Sequence, residues 1–91
     1  MHILLIRFSS MGDVVLQTAT VNWLRSLYGK SLKLSFVTSQ EFVSLIDTHP
    51  GLDHVLSFNR RGGEKWNDLI KKVDTLNHDH PIDLIIDLHG T

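Results

Sequence analysis

Four short apolar segments in this chain are separated by longer segments with helical spacing. Residues 3–6 form a continuous apolar run, which is typical of a strand buried on both faces. Apolar and polar residues alternate over 32–36, which predicts a second strand. Residues 54–58 predict a third strand, and the nearly continuous apolar run at 82–88 predicts a fourth.

The first helical segment is apolar around most of its circumference. It covers residues 14–28, and Gly29 is a suitable C-terminal stop. Only the strip formed by Thr18, Asn22 and Arg25 is clearly polar. A helix of this kind is buried on more than one side. So short a chain has little material to cover the second side.

Two further helices are predicted between the strands. Thr38 and Glu41 have the spacing of a capping box, which opens a short helix. Residues 64–77 carry a single apolar stripe, which predicts a third helix. This periodicity places Trp66 in the core, and the apolar side of helix 1 does the same for Trp23.

The element order is therefore β-α-β-α-β-α-β. Helical crossovers make the strands parallel, which gives an α/β fold with a Rossmann-like open sheet. The usual doubly wound plan has the strand order 3-2-1-4, with a ligand crevice between the carboxyl ends of strands 1 and 4. Because strand 4 is an open edge, we expect an N-terminal piece of a longer protein. The alternative is a short protein that covers this edge by self-association.

Composition limits the classes of partner. The 91 residues are 42% hydrophobic and 21% charged, with a net charge of −1, so no basic field attracts nucleic acid. There is no cysteine, which excludes disulfides and thiolate metal sites. The N-terminus has neither a basic leader nor a small-residue cleavage site, so we expect a cytoplasmic protein.

The loop after strand 1 contains most of the candidate chemistry. Gly12 permits a tight turn, and the N–H groups that begin helix 1 favour an anion. Ser9 and Ser10 add hydroxyls, and Asp13 adds a carboxylate. The loop lacks the three glycines of a dinucleotide site and the Gly-Lys-Ser/Thr ending of a P-loop. Simple helix capping by Ser10 and Asp13 is the structural alternative.

Basic side chains form a second candidate. Arg60 and Arg61 are the chain's only adjacent arginines, and Gly62 and Gly63 follow them. Arginine pairs bind carboxylates and phosphates in a bidentate way, although a solvated surface loop explains the same residues.

The histidines give a weaker signal. His78 and His80 share a turn without a third metal ligand nearby, so we expect solvated side chains. His89 ends strand 4 at the crevice, where acceptor contact and a structural hydrogen bond are both open. We expect the remaining three at the surface or at strand edges: His2, His49 and His54.

Two segments resemble a known family. The first, ILLIRFSSMGDVV at 3–15, resembles the N-terminal signature of glycosyltransferase family 9, the ADP-heptose:lipopolysaccharide heptosyltransferases. The second, IDLIIDLHG at 82–90, resembles the fourth strand of that family. The similarity in element order and spacing extends over all 91 residues and covers the first part of a family member.

This resemblance implies a GT-B architecture, of which residues 1–91 would be part of the N-terminal, acceptor-side domain. The acceptor would be the Kdo-bearing lipid A core of lipopolysaccharide. A C-terminal domain absent from this chain would hold the donor, ADP-heptose. The family works without metal or cofactor, and its position would be cytoplasmic, at the inner face of the inner membrane. The chain alone would be inactive.

The resemblance also assigns roles to residues. Asp13 would be the general base of an inverting transfer. Seven residues would contact the acceptor: Ser9, Ser10, Met11, Gly12, Arg60, Arg61 and His89. Two other functions stay open, namely a non-catalytic α/β module that self-associates through strand 4 and the Rossmann half of a nucleotide-binding enzyme. The single glycine in the first loop disfavours the last of these.

Overall fold

A computed structural model describes residues 1–88 of the chain. Within this range, four parallel strands form one open sheet in the order β3-β2-β1-β4. The predicted α/β class and strand order are therefore confirmed. The strands are β1 His2–Ile6, β2 Lys33–Ser39, β3 His54–Phe58 and β4 Leu84–Asp87.

Helices connect the strands. They are α1 Met11–Tyr28, α2 Val43–Ile46 and α3 Trp66–Asp79, with short 3₁₀ turns at 29–31 and 40–42. Helix α1 begins at Met11 rather than at 14, because Ser10 and Asp13 form a capping box around its first turn. Asp13 therefore lies inside the helix. No helix within residues 1–88 is long and apolar enough to cross a bilayer.

The second predicted capping box is wrong. Strand β2 continues through Thr38, which pairs in register with Ser57 of β3. The Thr38 side chain is fully buried, and its hydroxyl has no hydrogen-bond partner among the described residues. The short turn begins only after Ser39. Strand pairing has overridden the local capping signal.

Residues of β1 divide the core into two clusters, one on each face of the sheet. Ile3 and Leu5 pack with α1 side chains such as Val21 and Leu24. Leu4 faces the other way and packs with Leu69 and Leu76 of α3. These β1 side chains are at most 2% exposed, as the continuous apolar run predicts.

Helix α1 buries only one of its two apolar sides. Val14, Val21 and Leu24 lie in the core. The other side remains in solvent, with Leu16 66%, Trp23 61% and Leu27 57% exposed. Placement of Trp23 in the core is therefore wrong for the described part of the chain. Periodicity identifies a side that is suited to burial, but it does not supply the partner.

Strand β4 is an edge, as predicted. Among residues 1–88 it pairs with β1 alone, and Leu84 and Ile85 are about half exposed. The strand is shorter than the predicted 82–88. Asp83 donates its backbone N–H to the carbonyl oxygen of His2 at 2.9 Å, but its side-chain Oδ2, and not its backbone carbonyl, accepts the His2 N–H at 2.8 Å.

The amino ends of the strands hold three histidines that the sequence placed at the surface. His2 is 2% exposed, and its Nε2 lies 2.7 Å from Oγ of Ser35. Its Nδ1 lies 2.7 Å from the carbonyl oxygen of His80. The rings of His54 and His80 are 4.8 Å apart. His2 was expected at the surface or at a strand edge. It is instead buried at the amino end of the central strand β1, where Ser35 and the His80 carbonyl oxygen give its ring polar partners.

Candidate functional site

A groove of about 730 Å³ lies beyond the carboxyl ends of β1, β2 and β3. Each strand contributes the residues that follow it: 8 and 9 after β1, 39–41 at the end of β2 and after it, and 58–61 at the end of β3 and after it. Trp66, the first residue of α3, completes the lining. Parallel strands present their carboxyl ends at one edge, where open α/β folds bind ligands.

Asp13 lies on the first turn of α1. Neither Asp13 nor Ser10 belongs to the lining of the groove, which reaches this loop at Phe8 and Ser9. Oδ2 of Asp13 accepts a hydrogen bond from the Ser10 hydroxyl at 2.7 Å and another from the Ser10 backbone N–H at 3.3 Å. Nη2 of Arg7 lies 3.0 Å from the same oxygen. The sequence predicted the capping by Ser10, and the ion pair with Arg7 is an additional contact.

These contacts keep the Asp13 carboxyl ionised. The Ser10 hydroxyl and the Ser10 backbone N–H lower its pKa below the usual value, and Arg7 lowers it further. The side chain is 44% exposed, so water and a ligand can reach it. The arrangement therefore presents an accessible carboxylate that is charged at neutral pH.

Arg7 connects three elements at the switch point of the sheet. Its backbone N–H donates to the carbonyl oxygen of Val37 on β2 at 3.0 Å. Its Nη1 donates to the carbonyl oxygen of Leu88, just after β4, at 2.6 Å. With Nη2 on Asp13, the guanidinium bridges the end of β4 and the start of α1. Arg7 was not among the predicted site residues, although its place directly after a buried strand was a signal.

Three aromatic rings form the apolar wall of the groove. Phe8 lies 5.6 Å from Phe58 and 5.5 Å from Trp66, measured between ring centroids, and Phe58 lies 4.8 Å from Trp66. Trp66 is 49% exposed. The predicted core placement of Trp66 is therefore wrong. The helical stripe buries Leu69 and Leu76 as predicted. Its first residue, Trp66, extends past the core into the groove, and Ile70 is 54% exposed.

Arg60 and Arg61 lie at the rim of the groove. The Arg60 guanidinium carbon is 5.9 Å from the centre of the Trp66 ring, within cation–π range. Arg61 is 90% exposed, and its nearest acidic partner is Glu41 at 3.6 Å. An ion pair so exposed contributes little to stability, which leaves Arg61 available to a ligand.

The loop that carries these arginines has a defined shape. Oδ1 of Asn59 accepts the Gly62 backbone N–H at 3.0 Å, and the Asn59 carbonyl oxygen accepts the Glu64 N–H at 2.9 Å. Gly63 has a φ of 97°, in the left-handed region that favours glycine. The two arginines are therefore held by a hydrogen-bonded turn.

The other predicted site residues are only partly brought together. Ser9 lines the groove, whereas Met11 and Gly12 are exposed on α1 and are not part of its lining. Gly12 does not make the predicted tight turn, because it lies within the helix and its φ is not positive. Open space surrounds the position that a Cβ on Gly12 would occupy. His89 falls outside the described residues.

Metal-binding side chains are not clustered in the described structure. Within residues 1–88, no three His, Cys, Asp or Glu side chains lie close enough to hold one ion. His78, in the last turn of α3, and His80, which follows the helix, therefore have no third ligand in that range.

Three solved structures that match this chain are structures of sugar-transferring enzymes. A glycosyl transferase family 9 structure from Veillonella parvula DSM 2008 matches 96% of this chain with a TM-score of 0.84 and 19% identity. E. coli heptosyltransferase WaaC with ADP matches 100% of the chain, with a TM-score of 0.74 and 18% identity. WaaC with ADP-2-deoxy-2-fluoro heptose gives a TM-score of 0.73 at the same identity.

The likeness covers part of those proteins. This chain spans 25% of the Veillonella chain and 30% of the WaaC chain. No family model and no curated protein sequence matches the chain. Its fold is therefore the one found in part of these glycosyltransferases, and the predicted resemblance is confirmed at the level of the fold.

Proposed function

We propose that a longer protein containing this chain is an inverting glycosyltransferase that moves heptose from ADP-heptose to the inner core of lipopolysaccharide. The observation that carries the proposal is Asp13, an accessible carboxylate kept ionised at the start of α1, after the carboxyl end of β1. The matched structures support the reaction class, because one contains an ADP-heptose analogue.

Asp13 is the general base in this proposal. The acceptor hydroxyl oxygen attacks the anomeric carbon of the donor and forms the new glycosidic bond. The bond from that carbon to the diphosphate oxygen breaks, and its electron pair leaves with ADP. The hydroxyl proton passes to the Asp13 carboxylate, a form of base catalysis that contributes roughly 10²–10⁴-fold.

The groove is the proposed acceptor site. A Kdo-bearing, phosphorylated acceptor is anionic, and Arg60 and Arg61 place two guanidinium groups at the rim. Trp66 and Phe8 supply an apolar wall for a sugar face. Ser9, Ser10, Met11, Gly12 and His89 stay predicted acceptor contacts, with Ser9 the best placed among the described residues.

The donor site belongs to a second, C-terminal Rossmann-like domain in this proposal, and the 91-residue chain by itself is inactive. Basic side chains and helix N-termini of that domain would stabilise the departing diphosphate, so the transfer needs neither metal nor cofactor. The enzyme would work in the cytoplasm at the inner face of the inner membrane, where its lipid-linked acceptor is exposed.

A transfer assay tests the reaction. The longer protein is incubated with radiolabelled ADP-heptose and Kdo-lipid A, and label in the lipid product is measured. We expect transfer by the longer protein and none by the 91-residue chain. Absence of transfer by a folded longer protein, or turnover by the short chain, contradicts the proposal.

A second candidate is a non-catalytic module that self-associates through β4. The observation in its favour is the half-exposed apolar pair Leu84 and Ile85 on an edge strand. Light scattering on the purified chain should then give a dimer mass that Ile85→Lys lowers to that of a monomer, since charge on an edge opposes strand pairing. A concentration-independent monomer contradicts this candidate.

A further inference from the structure

The two oxygens of the Asp13 carboxylate are in different surroundings. Oδ2 accepts both Ser10 hydrogen bonds and also faces Nη2 of Arg7. Oδ1 makes no hydrogen bond or ion pair of this kind within the described residues 1–88. One oxygen is therefore anchored and the other is open, on a side chain that is 44% exposed.

We propose that Oδ1 of Asp13 is the oxygen that takes the acceptor proton, and that Arg7 is the positioning residue that fixes this division. The inference rests on the proposed glycosyltransferase function and concerns the same site. Arg7 itself contacts no reacting atom. It acts by holding Oδ2 against Arg7 and Ser10, which leaves Oδ1 open to accept the proton.

Arg7 is suited to positioning because the fold restrains it strongly. Its side chain is only 17% exposed, and its Nη1 is held by the Leu88 carbonyl oxygen at 2.6 Å. Its backbone is fixed to β2 through Val37. An arginine held at its backbone and at Nη1 gives Asp13 a fixed partner, whereas the Ser10 hydroxyl alone can rotate.

The position of Arg7 also links Asp13 to strand β4. The same guanidinium contacts the chain just after β4 and the first turn of α1, which are the two sides of the switch point. A shift at the end of β4 would therefore move Asp13 through one side chain. Arg7 therefore couples the end of β4 to the orientation of the Asp13 carboxylate.

One variant, Arg7→Gln, separates positioning from simple blocking. If Arg7 occupied the reactive oxygen, it would have to leave before proton transfer, and Arg7→Gln would raise kcat. If it anchors the other oxygen, Arg7→Gln lowers kcat of the longer protein on the order of 10- to 100-fold, the value of a hydrogen bond to a charged group. KM for the acceptor stays within about 2-fold of wild type, because the groove arginines are intact.

The decisive measurement is an NMR titration of the Asp13 side-chain carboxyl carbon in the labelled 91-residue chain. Arg7→Gln should raise the pKa of Asp13 towards the ordinary aspartate value of about 3.9. Arg7→Lys, which retains the charge, should raise it less and recover part of kcat. Lys71→Gln removes an exposed positive charge on α3 and should leave both the titration and kcat unchanged.

Ser10→Ala provides a second test that leaves Arg7 and the core untouched. It removes one of the bonds to Oδ2 and should also raise the pKa of Asp13. An Asp13 titration unchanged in Arg7→Gln, or a kcat that rises, overturns the positioning role. Absence of transfer by the wild-type longer protein overturns the proposed function instead, whatever the titration shows, so the two failures are distinguishable.

Discussion

Nη2 of Arg25 lies 3.2 Å from Oδ2 of Asp53, which ties the last turn of α1 to the residue that precedes β3. The same nitrogen donates to the carbonyl oxygen of Gly51 at 2.6 Å, and Nη1 reaches the carbonyl oxygens of Gly29 and Leu32. Asp53 in turn accepts the Leu34 backbone N–H at 2.8 Å. One arginine therefore satisfies several backbone groups at the amino end of the sheet.

We predict that Arg25→Ala lowers the free energy of unfolding by about 1.5–3 kcal/mol, the range for hydrogen bonds to charged groups. Urea denaturation measures the change. Arg61→Ala is the matched control, because its ion pair is 90% exposed on the arginine side and its loss should change stability by less than about 0.5 kcal/mol. Equal losses in the two variants would contradict the structural role of Arg25.

Stability should fall in mild acid because of His54. Burial, and then the neighbouring His80, lowers the pKa of His54 below its usual value, with smaller contributions from His2 and Lys33 against an opposing one from Asp53. The unfolded chain therefore binds more protons than the folded one between the two pKa values. The stabilisation is complete above about pH 6.5 and is lost as the pH falls through the folded pKa.

The measurement is the urea midpoint at pH 7.5 and pH 5.5. The urea midpoint of the wild type should be lower at pH 5.5 than at pH 7.5, and His54→Asn should remove part of this decrease. His78→Asn is the control, because His78 is exposed, and its urea midpoint should fall as much as that of the wild type. An identical pH dependence in His54→Asn and wild type would show that His54 is not the responsible group.

Gly63 shapes the loop that carries Arg60 and Arg61. Its φ of 97° disfavours any side chain, although open space surrounds the site of a Cβ. Gly63→Ala should therefore cost about 1–2 kcal/mol from backbone strain alone. Gly12→Ala is the control with the opposite sign, because a helical glycine in open space gains up to about 1 kcal/mol on becoming alanine. Thermal unfolding measures both changes: the melting temperature should fall in Gly63→Ala and rise in Gly12→Ala. An unchanged melting temperature in Gly63→Ala would contradict the strain at Gly63.

The pattern of apolar residues predicted the sheet, because burial of a strand determines which of its positions are apolar. The continuous run at 3–6 and the alternation at 32–36 placed β1 and β2 correctly, and 54–58 matches β3 in full. Trp23 and Trp66 were misplaced because a helical stripe indicates suitability for burial but not the extent of the covering partner. Both rings are exposed in the described chain.

The candidate site was predictable only where its contacts are local. Ser10 and Asp13 are three residues apart, so their capping contact can be inferred from spacing. Arg7 meets the Leu88 carbonyl oxygen across 81 positions, and His2 meets Ser35 across 33. Such contacts depend on strand register, which the sequence pattern alone did not specify. Burial of His2 and the bridge at Arg7 were missed for this reason.

Turnover by the Asp13→Asn variant is the sharpest test of Asp13 as the general base. Asparagine keeps the size of the side chain and cannot accept the acceptor proton. In the longer protein, with ADP-heptose and Kdo-lipid A as substrates, we predict that kcat falls by roughly 10²–10⁴-fold while the protein remains folded. A kcat within a few-fold of wild type would remove Asp13 from the role of base.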